Sequence, residues 1–218
     1  MNQFRMPRQP LFLAAALAWV LLAPPSAEVA WGQSPTVRVG SKGFTESVIL
    51  GECLAHLARQ AGARVEHRAE LGGTQVLWKA LLAGDIDAYV DYTGTIKEEL
   101  LSDRIAAGAT IRTDQEMREA LADKKVLMSE RLGFNNTYAL GMKESRAEAL
   151  KVVRISQLRE HPELKFGLSD EFVERKDGWH PLVAKYRLPQ KDVRTMDHNL
   201  AYRGLEHNAI DLTDLYTT

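Results

Sequence analysis

Residues 72–96 read GGTQVLWKALLAGDIDAYVDYTGTI, and the fold follows from how this stretch is parsed. Gly72-Gly73 makes a turn, Val76, Leu77, Ala80, Leu81 and Leu82 recur at helical spacing, and Gly84 stops the helix. Residues 86–92, IDAYVDY, then read as a short strand, followed at once by the small polar turn Thr93-Gly94-Thr95. A tyrosine-bearing strand end beside a hydroxyl-bearing turn with exposed backbone donors is the geometry of a ligand site.

The chain uses this element twice. Residues 199–218 lie on it without a gap: Asn208 falls on Gly84, Ile210-Asp211 on Ile86-Asp87, Tyr216-Thr217 on Tyr92-Thr93, and Tyr202 on Trp78. A second echo links VRVGSKGFTESVI, residues 37–49, with LKFGLSDEFVER, residues 164–175, since both read strand, glycine, small polar turn, helix. Each half is therefore strand, helix, a middle section, then helix and tyrosine-bearing strand. The expected architecture is α/β and two-lobed, with a cleft between the lobes.

Working outward, residues 36–40 form a first strand and Ser41 presents its hydroxyl at the strand's carboxyl end, with Thr45 as the expected N-cap of a helix running to about Gly62. Neither GxGxxG nor GxxxxGK[ST] occurs here, so the corner is not a nucleotide loop. Residues 64–71 are the next strand, and the alternation of strand and helix up to Tyr92 is a parallel-sheet pattern. Thr113 followed by Glu116 matches a capping box. Asn135-Asn136, ahead of the strand-like TYALG, reads as a crossing segment between lobes where a hinge would sit. Ser169-Asp170-Glu171-Phe172 copies the Ser41 corner, and Arg175-Lys176-Asp177-Gly178 is a charged turn leading to a helix with Pro181 in its first turn.

Residues 1–32 read as an export signal: Arg5 and Arg8 precede an apolar run over 11–23, Pro24-Pro25 ends it, and Ala30-Trp31-Gly32 offers a cleavage site. The run is short for a membrane span, so a periplasmic protein is expected. The lone cysteine, Cys53, sits in the apolar helical stretch ILGECLAHLA and is expected to be a small buried hydrophobe. The formal charge of the whole chain is −1; the signal segment carries Arg5, Arg8 and Glu28, which leaves −2 on the remainder. Near-neutrality without a Lys/Arg stripe gives no footprint for nucleic acid and favours small solutes or proteins as partners.

Enzyme chemistry finds little support. The six histidines, His56, His67, His161, His180, His198 and His207, form no HExxH or Cys/His cluster, no GxSxG elbow occurs, and no metal or cofactor is expected. Asp85, Asp87 and Asp91 alternate along the stretch and suggest a carboxylate pair, but Asp85 and Asp87 read better as turn residues bonding backbone. Tyr89, Tyr92, Tyr138, Tyr202 and Tyr216 are more informative, because they fall at strand ends or on the helix before one. Each alone is compatible with core packing, but a set at the meeting of two lobes suits a quaternary ammonium ion, which donates no hydrogen bond and is held by ring faces at about 0.5–2 kcal/mol each. Trp78, by its helix position, belongs to the core.

The chain resembles the substrate-binding proteins of ABC-type glycine betaine, choline and carnitine (osmoprotectant) uptake systems. The resemblance rests on Gly40-Ser41-Lys42-Gly43-Phe44-Thr45-Glu46, Gly72-Gly73-Thr74, residues 84–95, Asn135-Asn136-Thr137-Tyr138-Ala139-Leu140, Tyr202 and residues 211–217, and so covers nearly all of the chain beyond the signal segment. It implies a type II periplasmic binding protein with lobe 1 over 33–137 and lobe 2 over 138–218, closing around the solute, acting as a monomer and docking on a membrane permease. It implies cage roles for Tyr89 or Tyr92, Tyr138, Tyr202 and Tyr216, with Ser41, Lys42, Thr74 and Thr93 lining the first-lobe side and Ser169 and Asp170 the second. Two departures are visible: Gly43 stands where the family usually has Asn, and the family's C-terminal return to lobe 1, beyond Thr218, is absent, as in a fragment or a prematurely ended frame. Lys42 reads either as a contact to a solute carboxylate or as a solvent-facing lysine beside Glu46. Two other readings stay open: an amino-acid or other cationic-solute binding protein of the same fold, with Asp87 or Asp170 as ammonium partner, and a sensory or structural periplasmic domain.

Overall fold

A computed structural model describes residues 36–218, and the export segment expected over residues 1–32 lies outside them. The chain runs β1 (Thr36–Gly40), α1 (Thr45–Gln60), β2 (Arg64–Arg68), α2 (Thr74–Ala83), β3 (Ala88–Tyr89), a one-turn α3 (Thr93–Thr95) continued by a π-turn (Ile96–Leu100), α4 (Ser102–Ala106) and α5 (Asp114–Ala122). Then come β4 (Tyr138–Met142), α6 (Glu144–Leu150), a 3-10 turn (Ile155–Glu160), β5 (Phe166–Ser169), α7 (Asp170–Glu174), α8 (Trp179–Tyr186), β6 (Val193–Met196), α9 (His198–Glu206) and β7 (Leu212–Tyr216). One sheet is parallel with order β2-β1-β3, and the other has order β4-β7-β5-β6 with β4 antiparallel to β7. The architecture is bilobed α/β, each sheet flanked by helices.

The sequence repeat is a repeat of topology. β5, β6 and β7 reproduce the order of β1, β2 and β3, with α9 in the place of α2. The turns that end those two helices both take a left-handed residue, Gly84 at φ 75° and Asn208 at φ 57°. Each then delivers an aspartate to backbone of its central strand, at Arg38 within β1 and at Lys165 just before β5. Asp87 N–H donates to the Arg38 carbonyl at 2.7 Å, and its carboxylate accepts the Arg38 N–H at 2.7 Å. Asp211 does the same with Lys165, at 2.8 and 2.9 Å. A guanidinium completes each clamp, Arg38 at 2.8 Å on Asp87 and Arg146 at 3.2 Å on Asp211. The Arg38 hydrogen bond holds the Asp87 carboxyl below the usual carboxylate range, against the opposing effect of burial. The strand glycines repeat too: a Cβ on Gly40 would stand 2.7 Å from Ile86 Cδ1, and one on Gly167 2.7 Å from Ile210 Cδ1, so the helix-to-strand turn packs directly on central-strand backbone in both lobes.

Because none of the described residues comes within 4 Å of a Cβ placed on Gly84, its substitution isolates the backbone effect. Gly84→Ala is expected to cost about 1–2 kcal/mol through the left-handed conformation alone, readable as a lower thermal midpoint.

The second lobe closes over Leu164, Phe166, Leu168, Phe172, Trp179 and Leu212, all buried, with Phe166 and Trp179 edge to face at 5.3 Å. In the first lobe Trp78 packs in a cluster with Leu101, Ile111, Met117 and Leu121, in keeping with its expected core role. The Thr113–Glu116 capping box is present at the start of α5.

Three local expectations are corrected. The strand read over residues 86–92 pairs only at Ala88 and Tyr89, because Asp91 turns its carboxylate back to accept the N–H of Tyr92 at 2.8 Å and starts α3. Thr45 has already entered α1, whose N-cap is Phe44 with no side-chain bond; Ser47 reaches back instead and takes the Lys42 N–H at 2.8 Å. Cys53 is exposed, because α1 buries Ser47, Gly51 and Ala55, and Cys53 faces away from that stripe.

Candidate functional site

The carboxyl ends of the two repeated units meet at a cavity of about 490 Å³. Lys42 and Phe44 come from the corner after β1, residues 90–95 from the end of β3 and α3, Arg131, Leu132 and residues 134–137 from the segment before β4, and Tyr138 from the start of β4. Glu171, Arg175, Asp177 and Tyr216 close it from the second lobe. A second cavity of about 280 Å³ adjoins it, lined by Gly43, Thr74, Ser169, Asp170 and His198 among others, and Phe44, Glu171, Arg175 and Tyr216 line both. The volume suits a ligand of few heavy atoms.

Lys42 is the least expected feature. Its side chain is only 2% exposed, and its ammonium donates to Thr74 Oγ1 at 2.8 Å and Asp91 Oδ1 at 2.9 Å, with Glu171 Oε1 at 3.6 Å. Thr74 passes the contact across the cleft by donating to Glu171 Oε1 at 2.5 Å. Of the three ammonium protons, two are taken by Thr74 and Asp91, and Glu171 adds its charge at ion-pair distance. A buried lysine stays charged only where such partners offset its desolvation. The same ammonium stands 6.0 Å from the centroid of the Tyr92 ring.

The second lobe answers with an aromatic column. Tyr138 and Tyr216 face each other in the β4–β7 register, with ring centroids 5.2 Å apart. Tyr216 stacks on Phe44 of the first lobe at 4.8 Å and lies against His198 at 4.8 Å, while Tyr138 leans on Phe172 at 4.8 Å. The Arg175 guanidinium sits over the Tyr138 ring at 5.4 Å, its Nε and Nη2 held by Asp177 at 2.7 and 2.8 Å and its Nη1 by Thr95 across the cleft at 3.0 Å. Lys176 N–H to Glu99 at 2.8 Å and Asn136 to Glu46 at 3.1 Å, with Tyr92 OH also donating to Glu46, bind the lobes and the crossing segment further.

Of the residues expected to contact solute, the structure brings Lys42, Tyr92, Thr93, Tyr138 and Tyr216 to the larger cavity and Thr74, Ser169, Asp170 and Tyr216 to the smaller one. It does not bring Ser41, Tyr89 or Tyr202 to either. Ser41 is fully buried behind the corner, its hydroxyl meeting His67 Nε2 at 3.1 Å. Tyr89 is half-buried behind Asp91. Tyr202 is 50% exposed, its ring edge on His198 at 5.3 Å and thus beyond the column rather than in it. The second-lobe serine has a structural partner as well: Ser169 Oγ donates to the fully buried Asp214 at 2.7 Å. Sequence reasoning missed Phe44, Glu171 and Arg175. Glu171 stands next to the named Asp170, and the first turn of α7 points the longer neighbour at Thr74; for Arg175, inside a charged turn, the sequence offers no signal.

Burial pushes the phenols of Tyr89, Tyr92, Tyr138 and Tyr216 above the ordinary value of 10, and the carboxylates of Asp91, Glu46 and Glu171 add to this at Tyr89, Tyr92 and Tyr138. Above pH 10 the unfolded chain releases protons that the folded one keeps, so unfolding becomes easier as pH rises. Alkaline titration is expected to show these phenols ionising together with loss of structure; four phenols ionising near pH 10 in a folded chain would contradict the buried column.

Comparison with protein families matches residues 35–218 to the family described as the substrate binding domain of ABC-type glycine betaine transport system, OpuAC. Among curated proteins the chain is 31% identical over 210 residues to the ergothioneine transport permease/ergothioneine binding protein EgtU of Helicobacter pylori (strain G27), covering 95% of this chain and 37% of that protein. It is 32% identical over 200 residues to a glycine-betaine-binding protein of Pseudomonas aeruginosa, covering 85% of this chain and 63% of that one. The chain thus spans less than two thirds of the length of these relatives. A crystal structure of a glycine betaine/carnitine/choline ABC transporter superposes with TM-score 0.56 at 22% identity over 84% of this chain and 69% of its own, and the bilobed α/β architecture matches the type II periplasmic-binding-protein fold.

Proposed function

The chain belongs to the family of substrate-binding domains of ABC-type glycine betaine transport systems, and from that premise we propose that it binds a quaternary ammonium osmoprotectant, such as glycine betaine, choline or carnitine, in its aromatic cavity and hands it to a membrane permease. Such a domain performs no chemical step. The observation that carries the reading is that cations already sit over ring faces at the cavity, Lys42 over Tyr92 at 6.0 Å and Arg175 over Tyr138 at 5.4 Å. Ring faces presented to a closed space attract an onium group by the same quadrupole. Solute binding would favour the closed arrangement of the lobes, because only there do Phe44 and Tyr92 from one side and Tyr138 and Tyr216 from the other reach it together. The permease would read that closed form. The lobes divide at residues 137 and 138, with Asn135-Asn136 as the hinge, and the protein works as a monomer in the periplasm.

Calorimetric titration of the chain with choline, glycine betaine, carnitine and arginine tests this. Saturable heats with at least one quaternary ammonium solute and none with arginine are expected. Arginine binding without quaternary ammonium binding would make it a cationic amino-acid binder of the same fold, and silence from folded protein with every solute would leave a sensory or structural domain.

A further inference from the structure

Among the described residues, each of the three cations lining the larger cavity already faces an internal oxygen partner. Lys42 has Thr74, Asp91 and Glu171; Arg175 has Asp177 and Thr95; Arg131 has Asp114 at 2.6 and 2.7 Å. A solute carboxylate entering here finds no unpaired positive charge, and two of the neighbouring carboxylates, Asp91 and Glu171, repel it. Asp91 belongs to the same lobe as Lys42 and is a permanent partner, its side chain 6% exposed. Glu171 is different. It comes from the opposite lobe, is 16% exposed, lines both cavities, and places Oε1 2.5 Å from Thr74 Oγ1 and 3.6 Å from Lys42 Nζ when the cleft is closed. That is where the carboxylate of a zwitterionic solute would bond if Lys42 and Thr74 were to receive it.

We propose that Glu171 is a specificity-determining residue: it fills the carboxylate position at Lys42 and Thr74 from within the protein, so that the site takes quaternary ammonium alcohols of the choline class and excludes betaines. The inference rests on the quaternary ammonium reading above and narrows it to one solute class. Closing the lobes over choline keeps every internal pair intact and leaves a cation in a site whose facing carboxylates balance its lysine and arginines. Closing them over glycine betaine requires either two carboxylates side by side at one ammonium or the loss of the Thr74–Glu171 bond, and both are unfavourable beside the buried Lys42–Asp91 pair.

The test is a calorimetric titration of the wild-type chain and Glu171→Gln with tetramethylammonium, choline and glycine betaine. Glutamine keeps an oxygen for Thr74 and removes the charge. The wild type is expected to bind choline at least about tenfold tighter than betaine, and Glu171→Gln to raise betaine affinity about tenfold while choline and tetramethylammonium, which lose one facing carboxylate, weaken together by about threefold or more. Loss of a bond between lobes alone would weaken all three ligands together and would not reverse a ratio. Wild-type protein that binds betaine as tightly as choline, or a ratio unchanged in Glu171→Gln, overturns the role of Glu171 and leaves the quaternary ammonium reading standing. Folded wild-type protein that binds none of the three overturns both, and even if the variant does not fold, a wild-type ratio without preference for choline still overturns the role of Glu171.

Discussion

Lys42→Met is expected to lower the unfolding free energy by about 3–5 kcal/mol, the cost of leaving a buried charge without its partner. The ammonium is 2% exposed and Asp91 6%, so water cannot replace it. Asp91 is the residue stranded: one carboxylate oxygen bonds Lys42 and the N–H of Tyr92, and the other is buried with no hydrogen-bond partner among the described residues. Methionine fills nearly the same volume, so the loss reports charge rather than packing. Adding Asp91→Asn to Lys42→Met removes the stranded charge and is expected to recover more than half of that loss, as seen by chemical denaturation. Equal stability of wild type and Lys42→Met would mean that the lysine is hydrated, contrary to its enclosure.

Tyr138→Ala is expected to weaken binding of a quaternary ammonium solute by about 30-fold, the equivalent of about 2 kcal/mol for a desolvated cation–aromatic contact. The ring does more than line the cavity, since it supports Tyr216 at 5.2 Å and Phe172 at 4.8 Å and underlies Arg175 at 5.4 Å. Tyr138→Phe keeps the face and is expected to retain most of the affinity, which separates ring from hydroxyl. Tyr202→Ala is the informative contrast: with half of its surface exposed and His198 between it and the column, its removal is expected to change affinity by less than about twofold. Equal losses at Tyr138 and Tyr202 would place the solute elsewhere.

The fold was readable because its repeat is written in residues that backbone geometry demands. Gly84 and Asn208 hold left-handed turns, Asp87 and Asp211 bond back to central-strand backbone at Arg38 and Lys165, and Gly40 and Gly167 admit an isoleucine against the backbone. Such local requirements leave a local trace. The tyrosines of the column were visible for a related reason, since Tyr138 and Tyr216 sit opposite each other in one ladder whose strands the sequence marks. What stayed hidden is what depends on contact between lobes. The burial of Lys42, the reach of Glu171 to Thr74 and the seat of Arg175 on Tyr138 join residues far apart in the chain, and no spacing encodes them. Aligning Tyr202 with Trp78 was sound as a repeat but misleading as a site. α9 lies at the same place in its lobe as α2, yet Trp78 is covered by the cluster around Leu101 and Met117, and Tyr202 has no such cover.

The most direct test is a crystal structure of the chain grown with choline. The trimethylammonium group is expected in the larger cavity, against the rings of Tyr92 and Tyr138, with Lys42 still bonded to Thr74 and Asp91. Choline bound outside that cavity, or a cavity left empty while calorimetry under the same conditions shows saturation, would contradict it.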